Sequence, residues 1–367
     1  MQRIEDRPFE PLQGNPGALY AREVKSQLMK VVLVIAAYFF IQLIIVGVIK
    51  MVIMFSSGLM NNIMQGAMGA ASGGQVDINN LVESSTASAQ ESLAPYTGLI
   101  SIIGAVASLP IFLVLRGKRL FTKDVTESHA PLSALSFIKL WIIAMGAQLV
   151  FDVGAYLMNE LLKSSGHSVT ELLDQSMRTL ETPTGLLYIC IVGPIVEELI
   201  FRGAIMRSLE RFGLNFSIVI SSLIFGLFHI FTVQAIFAFF MGLILGYLAS
   251  RYSIKWSILA HIMINSTAMG ISALGTMGGG GALNAAALTQ FAFFAGGIIL
   301  LITERWRFAE QKAVGAPARI PGSPENTGAT LWKAAFTSIP MLIYIVITLG
   351  AGIGMIALPS LNIPGLT

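Results

Sequence analysis

Residues 31–49, between Lys30 and Lys50, carry no charged side chain. Coiled as an α-helix at about 1.5 Å per residue, that run crosses most of a hydrocarbon core roughly 30 Å thick. Comparable apolar runs recur near 97–115, 134–158, 185–206, 214–230, 233–250, 256–275, 286–303 and 334–358. Water is absent from the bilayer core, so each crossing segment must satisfy its own backbone hydrogen bonds, and long apolar runs do so as helices. The expected fold is all-α: a polytopic membrane helical bundle of about nine transmembrane spans. Composition agrees, with 54% hydrophobic and only 12% charged residues and a mean hydropathy of +0.74. So few charges cannot solvate a surface of this size, and membrane lipid is the expected neighbour.

The basic residues test the layout. With the N-terminus inside, Arg3 to Lys30, Arg116 to Lys123, Arg207 with Arg211, Arg251 with Lys255 and Arg305 to Lys333 all fall on one side of nine spans. Only Lys50, Lys163 and Arg178 fall on the other, as the positive-inside rule requires. A net charge of +3 scattered over short loops marks topology and gives no reason to expect a nucleic acid partner. The single cysteine, Cys190, allows neither a disulfide framework nor a thiolate metal site. These features predict a multi-pass protein of a bacterial cytoplasmic membrane. Its oligomeric state is not legible.

The chain divides into a cytoplasmic segment 1–30, an N-terminal membrane region 31–184 with an outside loop 51–96, a core 185–275 and a C-terminal membrane region 276–367. Five methionines lie between Met51 and Met68, followed by a Ser/Ala/Gln-rich stretch, which reads as an interfacial helix with a flexible loop or as a poorly ordered loop throughout. Met277 to Ala282 reads as a flexible turn. Gly242 and Gly246, four apart, predict close packing of two helices.

The chemistry is concentrated in the core. Glu197, Glu198 and Arg202 sit in an apolar helix, where each charge costs about 2–3 kcal/mol even on a lenient insertion scale. Glu198 and Arg202 are four apart and share a face, acid before base, so they are expected to pair. Glu197 is turned about 100° from Glu198 and lacks that local partner, which suits a general base or acid. Phe225 and His229 follow in the next run, and His261 and Asn265 share a face of a later one. Polar groups in three neighbouring apolar stretches are most simply explained by one shared cavity. Such groups fit peptide hydrolysis: a carboxylate or imidazole takes a proton from water, and amide or imidazole N–H groups stabilise the oxyanion. A proton-coupled transporter or a non-catalytic membrane immunity or scaffold protein is the alternative for the same buried groups. Gln148 and Asp152, also in a span, are expected to make a polar contact or to support the site, and His129 and His167 to be solvated in loops.

The sequence EExxxR at Glu197, Glu198 and Arg202, FxxxH at Phe225 and His229, and HxxxN at His261 and Asn265 resembles the CAAX-protease and bacteriocin-processing (Abi) family over about 185–270. The resemblance implies an intramembrane endopeptidase acting on a peptide or membrane-protein substrate. In it Glu197 and His229 activate water, His261 and Asn265 form the oxyanion hole, and Glu198, Arg202 and Phe225 support them. It also implies a choice between a metal-free glutamate mechanism, which is the expectation here with no cofactor, and a divalent metal such as zinc held by Glu197, His229 and His261. Counted from the inside loops, Glu197, His261 and His229 would lie about 15, 9 and 25 Å deep in straight helices. Broken or inclined helices around a buried site are therefore expected.

Overall fold

The computed structural model describes residues 16–56, 64, 66–69, 91–163, 182–230, 232–277, 280–304 and 327–357. The segment before Pro16, nearly all of the expected outside loop, His167, Arg178, Gly278, Gly279 and the basic stretch after Glu304 lie outside these residues. The described residues contain helices and no strand. We number the helices α1 (Pro16–Ser56), α2 (Glu91–Arg116), α3 (Ala134–Lys163), α4 (Pro183–Phe212), α5 (Leu214–Phe228), α6 (Thr232–Arg251), α7 (Ile254–Thr276), α8 (Gly280–Thr303), α9 (Thr327–Phe336) and α10 (Ile339–Ala357). Seven of them are long and apolar enough to cross a membrane, or eight segments if the bent pair α9 and α10 counts as one span.

Three differences from the sequence reading have local causes. The helix α1 begins at Pro16, well before the uncharged run, because Tyr20, Val24, Leu28, Val31 and Ile35 recur at helical spacing and are all buried. The run near 214–230 forms a helix of 15 residues, only about 22 Å long, which is short of a full crossing. The last run is split, with α9 and α10 meeting at 53°, where Pro340 opens the second helix and cannot continue the ladder from the first. The expected turn at Met277 to Ala282 also shortens, since α8 already includes Gly280.

Two large apolar clusters form most of the core, with a small third one around Met206, Ile218 and Ala249. One joins α1, α2, α4, α5 and the α9–α10 pair around Phe112, Phe201, Phe212 and Phe225; the other joins α3, α6 and α7 around Met145, Met241, Leu245 and Ile264. Helix α5 runs along α6 and α3 along α8. The glycine pair does what its spacing predicts: a Cβ at Gly242 would come within 2.8 Å of the Ser222 side chain, and one at Gly246 within 3.0 Å of Ile218. Outward faces carry exposed Phe40, Leu43, Val48, Phe291 and Ile343, as lipid contact requires.

Basic loops gather at one end of the bundle. Arg116 makes a two-point ion pair with Asp124, Arg207 contacts Glu210 and lies 3.1 Å from the ring of the exposed His129, and Arg211 pairs with Glu23 of α1. The backbone N–H of His129 donates to Tyr252 O, tying the loop before α3 to the end of α6.

Candidate active site

Helix α4 is irregular where the site is built. Thr182 caps its start, its hydroxyl oxygen accepting from the Gly185 N–H at 3.0 Å, with Pro183 in the first turn. Two wider, π-type stretches, Tyr188–Val192 and Leu199–Met206, then flank the short α-segment Gly193–Glu198. Pro194 has no N–H to give to the carbonyl one turn back, which loosens the ladder just before the glutamates. The broken or inclined helix expected around the site takes the form, in α4, of widened turns within one continuous helix. In α5, His229 closes the C-terminus, and Ile230 follows with φ 61°, a left-handed conformation unusual for a β-branched residue.

Glu197, Phe225, His229, His261 and Asn265 line one cavity of about 470 Å³ between the two apolar clusters. The structure therefore brings together all four residues singled out as catalytic. Glu198 and Arg202 lie immediately behind them and are fully buried.

Glu198 is the hub of this layer. Arg202 Nη1 lies 3.1 Å from its Oε1, although out of line for a hydrogen bond, so the contact is an ion pair. His261 Nδ1 lies 3.0 Å from the same oxygen, and Ser257 Oγ donates to Oε2. Arg202 also donates from Nη2 to Gly242 O at 3.2 Å, and its guanidinium sits 4.4 Å from the centre of the Phe225 ring. Phe225 meets the His229 and His261 rings edge-on, at 4.8 and 5.8 Å between centres. Its role is thus to cap the buried arginine and wall both imidazoles.

Hydrogen-bond inventory fixes the tautomers. A carboxylate only accepts, so His261 Nδ1 carries a proton toward Glu198 and presents Nε2 to Glu197, whose Oε2 is 3.6 Å away. A backbone carbonyl also only accepts, so His229 Nδ1, 2.9 Å from Phe225 O, carries its proton and leaves Nε2 with the lone pair. Asn265 donates one amide hydrogen to Ile189 O at 3.0 Å, within the first π-type stretch, and keeps the other. Glu197 has 20% of its side chain exposed, against none for Glu198. Two adjacent glutamates thus have opposite settings, one locked and one open to the cavity.

Ser257 was not legible as part of this network from its residue type alone. Its signal is spacing, since Ser257, His261 and Asn265 recur every four residues on α7. Tyr188, Gln234 and Gln148 also line the cavity. Asp152, one turn beyond Gln148, accepts instead from Gln290 of α8 and makes the polar contact expected of it. Among the described residues, no group of three His, Cys, Asp or Glu side chains is arranged to hold a metal ion. Glu197, His229 and His261 share the cavity but form no such group; the Nδ1 bonds of both histidines leave Nε2 for the cavity, as they also do in metal-binding histidines.

Residues 179–267 match the family model of the type II CAAX prenyl endopeptidases, Rce1-like. The chain is also 30% identical over 180 residues to "Putative membrane peptidase YdiL" of Bacillus subtilis (strain 168), an alignment covering 48% of this chain and 72% of that protein. The chain belongs to the CAAX-protease family. The family match spans α4 to the middle of α7, the stretch that carries every residue of the Glu198 network. No solved structure matches the chain.

Proposed function

We propose that this family member is an intramembrane endopeptidase that hydrolyses a peptide bond with water activated by Glu197. The observation that carries this reading is the contrast between the two glutamates: Glu198 is saturated by Arg202, Ser257 and His261, while Glu197 faces the cavity with an oxygen 3.6 Å from His261 Nε2. Glu197 takes a proton from water, and the water oxygen bonds to the scissile carbonyl carbon. The carbonyl oxygen becomes an oxyanion, which accepts from the remaining Asn265 N–H and from His261 Nε2 when that nitrogen holds a proton. His261 needs this second proton because its Nδ1 hydrogen already serves Glu198. Nε2 and Glu197 Oε2 are two acceptors facing each other, so one proton between them satisfies both. Glu197 then passes its proton to the amide nitrogen as the C–N bond breaks, releasing a carboxylic acid and an amine, and the acid proton then passes to the amine to give carboxylate and ammonium. His229 Nε2, with its free lone pair, orients the water from the second side. Arg202 balances the Glu198 charge and holds the helix.

The substrate is a polypeptide or membrane protein entering from lipid, with no nucleic acid partner and no cofactor. The N-terminus faces the cytoplasm of a bacterial cell, in keeping with the basic loops at one end of the bundle and with the source of the similar Bacillus protein. Purified chain should cleave members of a fluorogenic peptide library and Glu197→Gln should not. A glutamine variant with wild-type turnover would remove the assigned base. The wild-type activity is expected to survive exhaustive chelation, and loss restored by added zinc would replace the glutamate mechanism with a metal one.

A further inference from the structure

Several polar atoms beside the cavity are committed to partners in the chain. Nδ1 of each histidine, one Asn265 amide hydrogen and both oxygens of Glu198 are engaged. Gln148, the one residue through which α3 lines the cavity, differs: its Oε1 is buried and accepts no hydrogen bond from any described residue. Asp152, its nearest polar neighbour on the same helix face, is engaged with Gln290. A carbonyl oxygen buried and left unpaired is unfavourable, and a turn of the Gln148 side chain that presents it to a donor on an incoming group relieves the cost. Resting on the peptidase reading above, we propose that Gln148 is a substrate-positioning residue whose side-chain carbonyl accepts a backbone N–H of the polypeptide seated in the cavity.

The chemistry selects that ligand group. An extended peptide offers an N–H at every residue other than proline, and in a largely apolar cavity each such donor needs an acceptor. Gln148 comes from α3, whereas Glu197, His229, His261 and Asn265 come from α4, α5 and α7. It therefore grips the substrate from a helix that carries none of the hydrolytic residues, fixing the register of the chain without touching the attacking water. Glycine packing of α3 on α8 gives that grip a rigid base, since Gly146 and Gly297 leave no room for a Cβ between the helices.

Gln148→Met keeps length and volume and removes the acceptor. The expected result is a KM raised about tenfold with kcat within about twofold, because the interaction is made in the bound substrate and does not change in the chemical step. The melting temperature in detergent should stay the same or rise, since an unpaired buried acceptor has been removed. A structural glutamine would give a lower melting temperature with KM unchanged, and that pattern overturns the assignment. A backbone N-methyl scan of a cleaved peptide gives a second reading. One methylated position should weaken binding to the wild type about tenfold and cost Gln148→Met nothing more, since both changes delete the same hydrogen bond. Full additivity at every position rules the contact out. A wild-type chain that cleaves no peptide fails at the earlier step, the peptidase reading itself, and the Gln148 assignment falls with it.

Discussion

Glu197 and Glu198 are neighbours with the same side chain, and their environments assign them different work. Glu198 is shut away with Arg202, so removing either charge strands the other in an apolar interior. Breaking a buried pair on one side typically costs about 3–5 kcal/mol. Glu198→Gln and Arg202→Ala are therefore expected to lower both the melting temperature in detergent and peptide cleavage. Glu197→Gln keeps shape beside an open cavity and should abolish cleavage with melting unchanged or slightly raised. Thermal melts and cleavage assays on the same three preparations separate the two roles, and an unstable Glu197→Gln would make that glutamate structural. The pairing of Glu198 with Arg202 was legible from a spacing of four. Its additional grip on His261 and Ser257 was not, because nothing in a sequence gives the azimuth of α7 relative to α4.

At the scale of elements, the site depends on irregularities in α4 and on how closely α5 lies against α6. The π-type stretches on either side of Gly193–Glu198 change which face each residue presents, and straight-helix depths of roughly 9 to 25 Å therefore fail to predict convergence. Gly242 both lets α6 approach Ser222 and supplies the carbonyl that receives Arg202. Gly242→Val would drive a branched side chain into α5, a form of overpacking that typically costs about 1–3 kcal/mol. We expect lower melting temperature and a fall in kcat from displaced Arg202 and His229. Gly354→Ala, at a position with nothing within 4 Å of a new Cβ, is the control that should change neither. Equal behaviour of the two variants would show that the α5–α6 contact has no part in the site.

For the whole molecule, the gathering of Arg116, Arg207 and Arg211 with their acidic partners at one end makes a definite topological prediction. In a Cys190→Ala background, which removes the sole cysteine, Glu91→Cys at the start of α2 and Thr122→Cys in the turn of helix that follows its end are exposed positions on either side of the span. A membrane-impermeant maleimide applied to intact cells should label Glu91→Cys at once and Thr122→Cys only after permeabilisation. The reverse pattern would invert the orientation, and labelling of both from outside would mean that α2 does not cross.

The sequence by itself determined that this is a helical membrane protein and which ionisable and amide residues it buries within its apolar runs. Both follow from solvation: uncharged runs of spanning length have no other stable form in lipid, and ionisable groups in such runs demand buried partners. It did not determine how many runs cross, since the 15-residue α5 and the α9–α10 bend at Pro340 depend on packing and local backbone geometry. Nor did it reveal that Ser257 completes the Glu198 network or that Gln148 lines the cavity with its Oε1 buried and unpaired. Those facts are contacts between helices distant in the chain, set by rotation about each helix axis and by the widened turns of α4. Periodicity records which residues share a face, and only tertiary packing decides what that face meets.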